Sequence, residues 1–278
     1  MKTSHKIALA KLLYRAVHGA RSLVGKSDVG VVTRNGNRYE LNLAEGIDLA
    51  VYLGMYEPST ARALARLIRP GARVLDIGAN VGVHTVHMAR LVGPRGRVFA
   101  FEPTTFAFEK MKRNLQINPG LQQRVVATQC FLGRADFAPA PISVYAGWPL
   151  RGGTDLHPKH LGQPKSTDGI PSRTLDALLQ EYGNPAIALV KLDVDGYECD
   201  VLAGSRRMRE RDKPVFVMEL APYVLEEHGT SLDELLAYFT PLGYRFYEER
   251  CAGRSMSTEE ILRATGDGSS VNVIARAD

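Results

Sequence analysis

Long apolar runs are missing from this 278-residue chain. No stretch of about 18 consecutive apolar residues occurs, so no membrane-spanning helix is expected. Cysteine is scarce: Cys130, Cys199 and Cys251 lie far apart and form no CxxC pair. That argues against a zinc site or a disulfide framework and for reduced thiols in a cytoplasmic protein. Also absent is any stripe of Lys and Arg interleaved with aromatics. The net charge of +5 comes from 35 basic and 30 acidic residues spread along the chain, so no nucleic-acid partner is expected.

A secretory leader is not recognisable either. The N-terminal stretch MKTSHKIALAKLLYRAVHGARSLVG has Lys11 inside what would be its apolar core, which argues against export. Ile7, Leu9, Leu12, Leu13, Val17, Leu23 and Val24 alternate with Lys6, Lys11, Arg15 and Arg21 as in a basic amphipathic helix. Such a helix packs on its own domain, packs on a second copy of the chain, or rests on the anionic inner face of a membrane. The first two readings are favoured.

What is present is a regular alternation. VGVVTRNGNRYELNL is a hairpin turning at Asn35-Gly36, and Ser59 or Thr60 caps a helix that runs to Pro70-Gly71. RVLDIGA, RVFAFEP, RVVATQCFL, IALVKLDV and PVFVMEL then read as strands, separated by helices such as VHTVHMARLV and TFAFEKMKRNLQIN. Crossover helices imply parallel pairing. YRFYEER and SVNVIARA, joined by an irregular loop, close the sheet as an antiparallel pair. The expected fold is an α/β, Rossmann-like open doubly wound sheet of about seven strands. Residues 1–58 form a helix-and-hairpin extension, and 59–278 the α/β domain. A Gly- and Pro-rich insertion at about 134–172 has the character of a binding loop.

Ligands of such sheets bind beyond the carboxyl ends of the strands. The first exit, DIGANVG, carries Asp76, Gly78, Ala79, Asn80 and Gly82; it lacks the GxGxxG spacing, and its acid suits a cationic ligand better than a pyrophosphate. The second exit ends in Glu102-Pro103, and a carboxylate there can accept ribose hydroxyls. The fourth, KLDVDGYE, brings Lys191, Asp193, Asp195 and Glu198 together, where like charges shift one another's titration. Glu198 reads more simply as a helix-dipole partner. Glu219 leaves the fifth strand into the same cleft. A ribose contact beside an acidic first turn fits S-adenosylmethionine.

The segments GIDLAVYLGMYEP, VLDIGANVGVHTV, VFAFEP, SRTLDALL, VKLDVDGYECDVLAG and VFVMEL, in this order over roughly residues 46–222, resemble the FkbM family of S-adenosylmethionine-dependent methyltransferases. The resemblance implies a class I methyltransferase fold and O-methylation of a sugar, glycan or polyketide-type product. It implies that Asp76, Gly78, Ala79, Asn80 and Gly82 underlie the donor's methionine part, that Glu102 and Pro103 meet the ribose, and that Cys130 and Phe131 flank the adenine. Asp193 falls nearest the transferred methyl, and Asp195 stands where the family usually has Glu.

Removing the acceptor proton calls for a base. Asp193 is expected to be that base or to orient the acceptor, with His157, His160 or Glu219 as alternatives. Tyr145 and Trp148 are expected to stack on a sugar face and Arg151 to hold an anionic group, unless they serve only to pin the insertion. A magnesium ion held by Asp193 and Glu219 is the disfavoured variant. Rival functions are a non-catalytic cofactor-binding scaffold in a biosynthetic complex and, less favoured, an NAD-dependent dehydrogenase.

Overall fold

Helix α1 (Thr3–Leu23) leads into a hairpin of β1 (Val29–Arg34) and β2 (Asn37–Asn42), turned by Asn35 and Gly36, both at positive φ. This is the backbone a two-residue hairpin turn demands. The computed structural model of the chain describes residues 3–152, 156–157, 162–249, 254–266 and 269–277, so His160 and Cys251 lie outside the described residues. Tyr14 on the inner face of α1 is buried, and its hydroxyl donates to Asp28 at 2.8 Å, so the helix does pack on its own chain. Its outer face leaves Leu9, Leu12 and Leu23 exposed. Among the described residues no helix is long and apolar enough to cross a membrane.

Helices α2 (Gly46–Leu53) and α3 (Pro58–Leu67) follow. The expected cap at Ser59 or Thr60 is wrong: both lie inside α3, which Pro58 opens behind Glu57. Proline suits the first helical position because its missing N–H has no partner there anyway.

The sheet strands are β3 (Arg73–Ile77), β4 (Arg97–Phe101) and β5 (Val125–Thr128), with α4 (Val83–Leu91) and α5 (Thr105–Gln116) between them. The short β6 (Phe131–Leu132) leaves the sheet. The insertion folds as a hairpin of β7 (Ser143–Ala146) and β8 (Gln163–Ser166), and β9 (Ser172–Arg173) returns to pair with β6. The chain continues through α6 (Leu175–Glu181), β10 (Leu189–Leu192), α7 (Glu198–Ala203), α8 (Arg206–Asp212), β11 (Val215–Leu220), α9 (Pro222–Glu227), α10 (Leu232–Ala237), β12 (Tyr244–Glu248), β13 (Ser255–Met256), α11 (Thr258–Ala264) and β14 (Val271–Ala277).

The order across the sheet is β13-β12-β14-β11-β10-β3-β4-β5. Strands β11, β10, β3, β4 and β5 run parallel, whereas β14 pairs antiparallel with both β11 and β12. The expected antiparallel closing pair is therefore present, with β14 wedged inside and a two-residue strand added at the edge. Three local expectations fail. ECDVLAGSRRMRER is two helices, divided at Gly204, where the backbone passes so close to the Gly133 carbonyl that an added Cβ would lie 2.3 Å from it. RVVATQCFL breaks after Thr128. The supposed loop before the last strand holds α11, nucleated by a capping box between Ser257 and Glu260.

Strand alternation places the chemistry. On β4, Val98 and Ala100 pack with the core of α2 to α5, and Phe99 and Phe101 with the opposite core of α6 to α10. By the same period of two, Asp76, Lys191, Asp193 and Glu219 share the face of α3 and α4, in line with Val74, Leu189 and Val217. Asp76 and Lys191 are cross-strand partners.

Candidate active site

Strand order reverses between β3 and β10, and the loops after these strands frame the cleft. Asp76 is fully buried. Its Oδ2 accepts the Thr85 hydroxyl at 2.6 Å, and the Lys191 ammonium stands 3.8 Å from Oδ1, which has no hydrogen-bond donor of its own. Lys191 donates to the Gly78 carbonyl at 3.1 Å and pairs with Asp193 Oδ2 at 3.1 Å. Burial works against its charge, but Asp193, Asp76 and Glu57 hold its pKa above the ordinary value.

The glycine loop is tied down by its own hydrogen bonds. Gly78 and Ala79 both donate to the Phe101 carbonyl, Asn80 to Glu102 Oε2, Val81 to Asn80 Oδ1 and Gly82 to the Ala79 carbonyl. No amide from 78 to 82 is free to cradle a phosphate, so the loop is not an anion nest. Gly78, at φ 75°, is required by a neighbouring strand: an added Cβ would lie 1.7 Å from the Asp193 carbonyl. At Gly82 a Cβ would lie 2.7 Å from the Met111 side chain of α5.

Glu102 is buried, which raises its pKa. Oε1 already takes the amide and hydroxyl of Thr104, at 2.9 and 2.5 Å, and Oε2 takes the Asn80 amide at 2.9 Å. One acceptor position, on Oε2, is left for a ligand hydroxyl. Pro103 is half-buried beside it, its carbonyl taken by Gln129.

The exits of β10 and β11 concentrate acid. Asp195 is exposed, so water tempers the shift, but crowding by the surrounding protein and then the charges of Asp193, Glu219 and Glu198 raise its carboxyl above the usual range. Burial, then Asp193, pushes Glu219 up to about 7, although Ser270 donates to it. Glu198 is buried and accepts the Val194 and Gly196 amides at 3.2 and 3.4 Å. It stays close to the simpler reading, holding its own loop rather than facing a ligand.

Several expected residues lie elsewhere. Cys130 is buried in the core of α6 to α10, and Phe131 packs edge-on against Tyr197 at 4.9 Å, so neither presents an open face to an adenine. Arg151 is turned to the N-terminal helix, donating to His18 at 2.7 Å and lying over the Tyr14 ring. Trp148 is half-buried against the α2 side of the core, and its carbonyl accepts the Gly46 amide at 2.8 Å. Both pin the insertion. Tyr145 meets His157 edge-on at 4.9 Å, and His157 pairs with Glu227 of α9 at 3.1 Å.

Sequence reasoning missed Tyr56, Glu57 and His84. Glu57 sits at φ 36°, and its Oε2 accepts from the buried His84 Nε2 at 2.8 Å; Tyr56 stacks obliquely on the same imidazole. Beside the glycine loop, Ala146, Gly147 and Lys165 of the insertion face Asn80, Thr104 and Phe106 across a narrow crevice.

A net-negative cleft at the switch point, a loop with no free amides and a reversed strand wedged into the sheet define a class I methyltransferase. The chain belongs to the FkbM methyltransferase domain family, whose family model matches residues 76–246. It is 28% identical over 174 residues to the 2-O-methyltransferase NoeI of Sinorhizobium fredii, covering 59% of this chain and 71% of that one. It is 27% identical to the 31-O-demethyl-FK506 methyltransferase FkbM of Streptomyces tacrolimicus, over 66% of this chain and 76% of that one. The hexuronic acid methyltransferase AglP of Haloferax volcanii is 29% identical over 46% of this chain, and the match spans 48% of that relative.

Proposed function

We propose that the chain transfers a methyl group from S-adenosylmethionine to a hydroxyl of a sugar, a glycan or a polyketide-type product. The observation that carries this reading is the excess of acid over base in the cleft: Asp76, Asp193 and Glu57 gather around a single ammonium, Lys191, and Asp195 and Glu219 crowd Asp193. Such a field favours a cationic nucleoside and disfavours a pyrophosphate. Two of the three relatives' names specify an oxygen acceptor.

The residues fit the donor. The 78–82 backbone would lie beneath it, Glu102 Oε2 would accept a ribose hydroxyl, and the unmatched Asp76 Oδ1 adds negative potential where a positive group belongs. S-adenosylmethionine supplies an electrophilic methyl group on a sulfonium. The protein's part is to align the acceptor oxygen and take its proton. Asp193, anchored by Lys191, orients the hydroxyl. Glu219, raised to about 7, is matched to accept its proton near neutral pH. Among the described residues no group of three His, Cys, Asp or Glu is placed to hold a metal ion.

Incubation with methyl-labelled donor and hydroxylated glycans should place label on oxygen; donor-binding protein that never transfers it contradicts the reading. The pH profile assigns the base. Below pH 7 Glu219 is protonated and cannot accept a proton, so kcat/KM should fall about tenfold per unit as pH drops. Glu219→Gln should lose that limb and about a hundredfold or more in rate. A limb left intact in the variant removes Glu219 from the role.

A further inference from the structure

We propose that Glu57, braced by His84, is the seat for the α-ammonium of the methyl donor's amino-acid part; the proposal rests on reading the cleft as a donor site. The sequence assigned the donor's cationic end to Asp76. The structure makes Asp76 a poor direct partner, because it is wholly buried, bonded to Thr85 and flanked by Lys191. Glu57 differs in access. Its side chain is 36% exposed, so a ligand can reach it.

It is also charged. Burial alone would raise its pKa, but the His84 hydrogen bond and charge, with Lys191 and Tyr56, bring it below the ordinary value. The charge interactions place it in the cleft: Glu57 acts on Lys191 and Glu219, and neighbouring Tyr56 feels Asp193, Asp76 and Asp195. A non-glycine residue at φ 36° is costly and persists only where its surroundings enforce it, which is common at ligand clamps. Here Pro58 fixes the following helix, and the buried His84 fixes the carboxylate.

Asp76 adds to the negative field without being a contact itself. Asp76 Oδ1 is buried with no hydrogen-bond donor. With Lys191 3.8 Å from that oxygen, Asp76 contributes potential only, and Glu57 is the carboxylate a ligand can reach. His84 is a positioning residue: its ring holds Glu57 Oε2 and so fixes the carboxylate that would meet the ligand.

Ligand truncation tests this. S-adenosylhomocysteine carries the amino-acid part, and 5′-methylthioadenosine lacks it. Calorimetric titration of the full chain should show Glu57→Gln weakening S-adenosylhomocysteine roughly ten- to a hundredfold while leaving methylthioadenosine unchanged. Glu57→Asp, which keeps the charge at shorter reach, should give a smaller loss confined to the same ligand. If Glu57→Gln weakens both ligands equally, or neither, the proposal is overturned, since a merely structural pair would not discriminate. If the native protein binds neither, the donor-site reading itself fails.

Discussion

Asp193→Asn should lower kcat/KM for methyl transfer by about a hundredfold or more, while the methyl donor still binds. The size follows from what the carboxylate does. It leaves β10 beside β3, its backbone N–H donates to the Ile77 carbonyl at 3.1 Å, and its Oδ2 is paired with Lys191. The side chain is therefore held rigidly, and its anionic oxygens can align an acceptor hydroxyl. Asparagine keeps the shape and loses one anionic acceptor, so alignment suffers more than donor affinity. If Glu219 takes the proton, the Asp193→Asn enzyme should keep an acid limb in its residual rate, displaced below pH 7 because the Asp193 charge that helps to raise Glu219 is gone. Steady-state kinetics with a donor titration checks both statements, and a fully active Asn variant would remove Asp193 from the mechanism.

Lys191→Met should be the most destabilising of the cleft substitutions. Lys191 is the buried cation that compensates Asp76, which has no exposed surface. Removing one member of a buried ion pair leaves the other charge stranded and costs about 3–5 kcal/mol. For a chain of this size that is a fall in Tm of roughly 10 °C. Adding Asp76→Asn to Lys191→Met should recover much of the loss, because the stranded charge is gone. Thermal unfolding of the two single variants and the double variant measures the coupling; strictly additive losses would mean that the pair does not interact.

Much of the fold could be read from local pattern. Asn35-Gly36 marked the hairpin, and the five strands separated by helices marked the parallel sheet, since each signal lies within a few residues of its effect. The Ser257-x-x-Glu260 capping box was equally local and could have revealed α11. Reading strand exits also picked out Asp76, Asp193, Asp195 and Glu219, which the fold brings to one cleft. Applying the two-residue period to IALVKLDV would have put Lys191 on the face of Asp76.

What stayed hidden are pairings across long sequence separations. Glu57 and His84 are 27 positions apart, and Arg151 finds His18 across 133. His157 likewise pairs with Glu227 on a helix the sequence did not mark. No periodicity encodes such contacts, because they depend on which helices the folded sheet brings together. That is why Arg151 and Trp148 looked like substrate contacts and prove to be fastenings of the insertion. It is also why the glycines of DIGANVG looked like a ligand requirement, when the Asp193 carbonyl and Met111 are what exclude a side chain at positions 78 and 82.

The central claim is that this acidic cleft receives a cationic nucleoside. It is tested most directly by calorimetric titration of the intact chain with S-adenosylmethionine and, in parallel, with NAD. One equivalent of S-adenosylmethionine should bind and NAD should not. Saturable binding of NAD with none of S-adenosylmethionine would contradict the account.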